Sequence, residues 1–248
     1  MANTMQGLRI RLAPQAPSPI HQAIDFPFEL SSLQTGLESL NMMGGGVNQS
    51  ARNLAKNTTR GPATPYGTPV VNDYWMGLKT GSAWYELPFG DFESTTLMVV
   101  ARSTDTNAAA ATQPVFLGTS DGTSSGASLY VGSSSADRTI AYYASGSASA
   151  SNNPGAGLTG WSMLVGRIGP TGTKTKNMAD NDEGTGANPG GARVLGNRLK
   201  IGGGQGSSFA GMSDIAFAAV WSREISDAEA TAAYNQVKAF YALRGITI

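Results

Sequence analysis

Residues 212–229 read Met212-Ser213-Asp214-Ile215-Ala216-Phe217-Ala218-Ala219-Val220-Trp221-Ser222-Arg223-Glu224-Ile225-Ser226-Asp227-Ala228-Glu229. The first ten residues form a long strand, rich in small and apolar side chains. The last four form a capping box, with Ser226 at the N-cap and Glu229 at the third helical position. Beyond it Ala230, Ala233, Tyr234, Val237, Phe240 and Tyr241 recur at helical spacing and make one apolar face. Gly245 is placed to end that helix, and Arg244 in its last turn favours the negative end of the dipole. Just upstream, Arg198-Leu199-Lys200-Ile201 is a shorter strand, followed by the flexible Gly202-Gly203-Gly204.

Further upstream, strand candidates succeed one another from about residue 65. They are 84–87, 95–101, 115–117, 128–131, 139–143 and 161–168, each bounded by turn residues. Residues 144–157 read as a polar low-complexity loop. Residues 169–192 read as an irregular stretch carrying the acidic cluster Asp180, Asp182 and Glu183. Strands spaced by turn chemistry favour a sandwich over alternating βα units. Glycine is 32 of 248 residues and only 14% are charged, a turn-rich composition that points the same way.

Residues 1–60 differ in texture. Leu8-Arg9-Ile10-Arg11-Leu12 alternates and suits an edge strand, but prolines at 14, 17 and 19 stop it from continuing. We therefore expect an extended N-terminal arm or small assembly module over 1–60, and the sandwich over 61–248.

Several classes are disfavoured. With 17 basic and 17 acidic residues and no basic block, the chain lacks the electrostatic footprint of a nucleic-acid binder. No apolar run approaches a membrane span. There is no cysteine, so no disulfide or thiolate site can form, which suits a reducing cytoplasm. Residues 1–7 lack the basic and apolar regions of a signal peptide.

The segment from Leu199 through Gly202-Gly203-Gly204, the strand to Trp221 and the Arg223-Glu224-Ile225-Ser226-Asp227-Ala228-Glu229 turn resembles the end of a concanavalin A-like, laminin-G-like domain. Its aromatic–x–Arg–x–Leu-Ser-x-x-Glu pattern, with Ile225 in place of Leu, leads into the helix and a Tyr-x-x-Arg-Gly ending. The resemblance implies an all-β jelly-roll sandwich of two antiparallel sheets, with the C-terminal helix covering one end. Such domains are common in phage tail and bacterial surface proteins. It therefore implies a virion protein made in the bacterial cytoplasm, a homo-oligomer with a trimer preferred. Its partners would be other virion proteins, reached through 1–60, and a bacterial surface glycan. The alternative is a purely structural component, a capsid decoration or tail-attachment protein.

The chemistry of catalysis is missing from the sequence. Glycoside hydrolysis needs two carboxylates flanking the bond, and no Glu-x-Asp-x-x-Glu run is present. The single histidine, His21, stands in the proline-rich arm and gives a Ser-His or metal-His arrangement little to build on. A non-catalytic protein is expected. Five aromatic residues are candidates for stacking on sugars: Trp75, Trp84, Tyr85, Tyr142 and Tyr143, each weighed against packing in the core. Alternation places Tyr142 and Tyr143 on opposite faces, so one of them is expected to be exposed. The resemblance implies core aromatics at Trp161 and Trp221, so both are assigned to structure. Asp180, Asp182 and Glu183 offer hard oxygen ligands for calcium, against the plainer reading of a solvated acidic loop. No other cofactor is expected.

Overall fold

The computed structural model describes residues 31–107, 109–132, 136–152, 158–204 and 209–248. The expected strand at 8–12, and His21, lie outside the described residues.

The chain is an all-β sandwich. In order its elements are α1 (Ser31–Gln34), β1 (Leu37–Met42), α2 (Val47–Ser50), β2 (Thr64–Gly67), β3 (Val70–Val71), β4 (Met76–Lys79), β5 (Ala83–Gly90) and β6 (Thr95–Ser103). After a 3₁₀ turn come β7 (Val115–Gly118), β8 (Ala127–Val131), β9 (Asp137–Tyr143), β10 (Gly146–Ser151), β11 (Ser162–Gly169), β12 (Gly172–Asn177) and β13 (Asp182–Ala187). The last three are β14 (Arg198–Ile201), β15 (Met212–Trp221) and α3 (Asp227–Ala242). Pairing is antiparallel throughout and runs β10-β9-β8-β7-β14-β5-β4-β15-β6-β11-β12-β13. The chain of strands turns back on itself at β4 and β5. One layer is then formed by β5, β14 and β7 to β10, and the other by β15, β6, β11, β12 and β13.

Between the layers lies a core of Tyr85, Leu87, Leu97, Val99, Leu117, Leu129, Leu164, Leu199, Ile201, Ile215 and Val220, all nearly inaccessible. A second core lies on the outer side of the β15–β6–β11 layer. There Met98, Val100, Met163, Val165, Phe217, Ala219 and Trp221 meet Ala230, Ala233, Val237 and Tyr241 of α3. The helix therefore covers the outer face of a sheet, not an end of the sandwich. That explains why β6 and β15 carry apolar residues at consecutive positions: both faces are buried.

The capping box forms as expected. Ser226 Oγ accepts from the Glu229 amide, Glu229 Oε2 accepts from the Ser226 amide, and Arg223 holds Glu229 Oε1 at 2.7 Å. At the far end the Ile246 amide donates to the Tyr241 carbonyl around Gly245 (φ 74°), a Schellman-type closure with Ile246 buried behind it.

Three sequence expectations are revised. The part of 1–60 that is described does not stand apart. β1 pairs with β15, from Leu37 opposite Trp221 to Met42 opposite Phe217, and Trp221 Nε1 donates to the Leu33 carbonyl at 2.8 Å. The supposed polar loop at 144–157 contains β10, hairpinned to β9, with Ala148 and Ala150 turned inward. The supposed irregular stretch at 169–192 contains the β12–β13 hairpin. Both were hidden for one reason: their inward residues are Ala, Thr, Asn and Gly. Thr175, for example, is buried with its hydroxyl between Thr139 Oγ1 (2.8 Å) and the Ala150 carbonyl (3.1 Å). This end of the sandwich is closed by hydrogen bonds, which hydrophobic periodicity does not detect.

Candidate binding site

α3 leaves one end of the outer face uncovered. There Arg102, near the end of β6, lies opposite Asp214 of β15 in the ladder. Its Nε and Nη2 both reach Asp214 Oδ2 at 2.8 Å. The guanidinium also lies over two indoles, 5.5 Å from the Trp75 ring centroid and 4.8 Å from that of Trp161. The two indoles are tilted 60° to one another at 6.2 Å. Both tryptophans are half-buried and pack against the second core, Trp161 less deeply than the resemblance implied. It sits at the end of the apolar face, where the helix no longer covers it.

Beside this cluster is an open concavity of about 360 Å³. Trp75, Asp214, Lys79, Thr104, Val70 and Met212 are among its lining residues. Gly77 keeps its floor low: a Cβ there would come within 3.0 Å of Val70 and 3.5 Å of Asp214 Oδ1. Burial raises the Asp214 carboxyl above its ordinary range, while the Arg102 hydrogen bond and charge pull it back. With Arg102 held on Oδ2, Oδ1 is left on the Gly77 side of the carboxylate. An indole, an oriented carboxylate, a lysine and the hydroxyl-bearing Thr68, Ser82 and Thr104 thus border one open space. That set suits a polyhydroxylated ring, with its apolar face on the indole and its hydroxyls on the polar groups.

The other predicted aromatics are distributed differently. Tyr85 is in the inter-layer core, its hydroxyl donating to the Val47 carbonyl at 3.2 Å, and burial pushes its pKa up to about 12. Trp84 is half-buried, stacked on Tyr66 at 5.1 Å, with the Lys200 ammonium 5.0 Å from its ring centroid. Tyr143 faces inward, and its hydroxyl donates to the Gly169 carbonyl at 2.8 Å. Tyr142 does face outward, but it is not exposed as alternation suggested: only 8% of its surface is accessible. Phe209 and Gly204 lie against that face too.

The acidic cluster is also dispersed. Asp182 and Glu183 are consecutive on β13, so their side chains diverge. Glu183 pairs with Lys174 at 2.7 Å and lies 3.7 Å from Arg167, which itself pairs with Asp227 at 2.5 Å. Asp180 accepts from Asn177 Nδ2 at 3.3 Å. Among the described residues, no three His, Cys, Asp or Glu side chains converge as a metal site would need.

Three members of the site, Lys79, Arg102 and Asp214, went unnoticed in the sequence. For the last two the signal was there: each is the one charged residue of a largely buried strand, where burial demands a partner.

No family model matches the chain, and no curated protein matches it in sequence. Solved structures do match in fold. The binding domain of botulinum neurotoxin DC, in complex with SialylT, aligns with a TM-score of 0.61 over 83% of this chain and 52% of that one, at 8% identity. The receptor binding domain of botulinum neurotoxin D gives 0.60 over 82% and 53%, at 10% identity. A botulinum neurotoxin type C structure gives 0.62 over 84% and 52%, at 8% identity; cell entry of that toxin is described as dependent upon interaction with two ganglioside molecules. The chain spans about half the length of these structures. At such identities the likeness is one of fold.

Proposed function

We propose that this protein is a non-catalytic binding module that recognises a glycan through the concavity at Trp75. The observation that carries the reading is the convergence of the Trp75 indole, the Arg102-anchored Asp214 carboxylate and Lys79 on one open space. Further support comes from the fold, shared with receptor-binding domains described with SialylT and gangliosides. We extend the reading to a phage tail or appendage protein that binds a bacterial surface carbohydrate, assembles as a trimer and contacts other virion proteins through residues 1–60, of which 1–30 lie outside the described part. That extension rests on the resemblance of the C-terminal segment.

The test is a bacterial surface glycan array probed with wild type and Trp75→Ala, each with calcium and with a chelator. Wild type should bind a restricted set of glycans. Trp75→Ala should lose at least tenfold in affinity, the scale of a central aromatic anchor. Loss of wild-type binding on chelation would bring Asp180, Asp182 and Glu183 back as calcium ligands. Equal binding by the variant would remove the Trp75 site.

One observation favours a second reading, an assembly scaffold. Val70, Val71, Met212 and Tyr66 are exposed hydrophobic residues, two of them lining the same concavity. A wild-type protein silent on the array, yet losing self-association in Val70→Asp by light scattering, would establish that reading instead.

A further inference from the structure

The outer face of β7, β8 and β9 carries a cavity distinct from the Trp75 concavity and on the opposite layer of the sandwich. It measures about 200 Å³ and has a different chemistry. Tyr130 and Tyr142 stand on adjacent strands, with Val115 and Ile140 beside them and Phe209 over the top. The Tyr130 and Phe209 rings meet at 4.8 Å and 53°, forming an aromatic corner. No charged side chain is among its described lining residues. The Arg138 guanidinium stands near the Tyr130 hydroxyl, outside that lining. The nearby Asp121 is turned into its own loop, where it accepts from the amides of Thr123, Ser124 and Ser125 and from the hydroxyls of Ser124 and Ser125.

Polar chemistry enters through Ser120 and Ser128. Ser128 Oγ accepts the Ser120 amide at 3.0 Å, and Ser120 Oγ accepts the Gly122 amide at 3.0 Å. The Ser120 hydroxyl is further engaged with the Tyr142 hydroxyl. Ser128 is thereby fixed through its oxygen and keeps its own proton to donate. An apolar cavity of roughly 150 Å³ lined by aliphatic and aromatic side chains stays dry and takes up benzene. A slightly larger one with a hydroxyl donor in its wall suits a benzene-sized ring with an acceptor oxygen. A charged ring would lose its hydration without a counter-charge in the lining.

We propose that this cavity is a binding site for a small uncharged aromatic ring bearing an oxygen acceptor, of the phenol class. The site is independent of glycan recognition at Trp75.

The experiment is a titration of the full chain with 4-methylphenol, read by methyl NMR, with sodium benzoate and cyclohexanol as comparators. The Val115 and Ile140 methyls should shift by ring current and saturate with a Kd of about 1 mM or tighter. Benzoate and cyclohexanol should each bind at least tenfold more weakly. Ile140→Trp, which fills the cavity from its half-buried rim, should abolish the effect. Should that variant not fold, Ser128→Ala with wild-type melting behaviour should weaken 4-methylphenol several-fold. Three outcomes would overturn the proposal: no shift up to the solubility limit, shifts centred on Val70 instead of Ile140, or benzoate binding as well as 4-methylphenol.

Discussion

Asp137 begins β9 with no accessible surface, and neither carboxylate oxygen has a hydrogen-bond partner among the described residues. Asn152 is close, but its Nδ2 donates to the Asp182 carbonyl at 3.1 Å. Burial, reinforced by the charges of Asp182 and Asp180, pushes the Asp137 pKa up to about 6. A carboxyl raised in the folded state contributes stability below its unfolded pKa near 4, and that contribution disappears as pH rises through 6. Asp137→Asn should therefore match wild type at pH 4 and exceed it at pH 7 by roughly 2 kcal/mol. Urea denaturation at the two pH values checks this; a variant no more stable at pH 7 rules it out. Asp91, whose carboxyl burial also raises, differs in being paired with Arg193. Both side chains are fully buried, Arg193 also donates to the carbonyls of Phe92 and Glu93, and Asp91 Oδ1 accepts the Gly196 amide at 2.8 Å. Arg193→Ala would strand a buried carboxylate and should cost about 3–5 kcal/mol, readable in the same denaturation experiment.

At the scale of elements, the polar end of the sandwich depends on glycine. A Cβ on Gly184 or Gly186 of β13 would fall 1.8 or 1.7 Å from the Ser151 or Ser149 carbonyl oxygen of β10. The two strands approach backbone to backbone, which only an absent side chain permits. Gly186→Ala should destabilise by roughly 1–3 kcal/mol, as overpacking does, and should raise amide exchange in β10 and β13 ahead of β6 and β15. α3 presents a milder case. Removing its N-cap with Ser226→Ala should cost about 1 kcal/mol in thermal or urea unfolding, because one amide loses its acceptor while the apolar face stays packed.

For the whole molecule, the question is where the folded unit begins. β1 supplies Leu37, Leu40 and Met42 to the second core, and Leu33 accepts the Trp221 indole hydrogen. A chain starting at residue 31 should keep the wild-type melting temperature to within a few degrees. One starting at 61 would expose half an edge of β15 and much of the outer core, and should aggregate or melt more than 10 °C lower, given ~4 °C or less per kcal/mol at this size. Equal melting of the two truncations would restore a boundary at 60. Light scattering of the residue 31 truncation also tests whether 1–30 carries the proposed self-assembly.

Much of this was legible from residue types alone. The apolar runs at 95–101 and 213–221, the turn-rich composition and the capping box at Ser226 determined an all-β sandwich with one C-terminal helix, because local periodicity and capping chemistry are written in adjacent residues. Trp75 could be singled out as a candidate for the same reason, as a large aromatic outside the strongest strand. What only the tertiary structure decided is which residues stand together. Arg102 and Asp214 are 112 positions apart and meet because β6 and β15 are neighbours. Tyr142 is covered in part because Phe209 and Gly204 lie over its sheet, and β10 and β13 are strands because their glycines and alanines let two backbones touch. Such contacts depend on strand order and on the space left between layers, and neither is encoded in the pattern of any single segment.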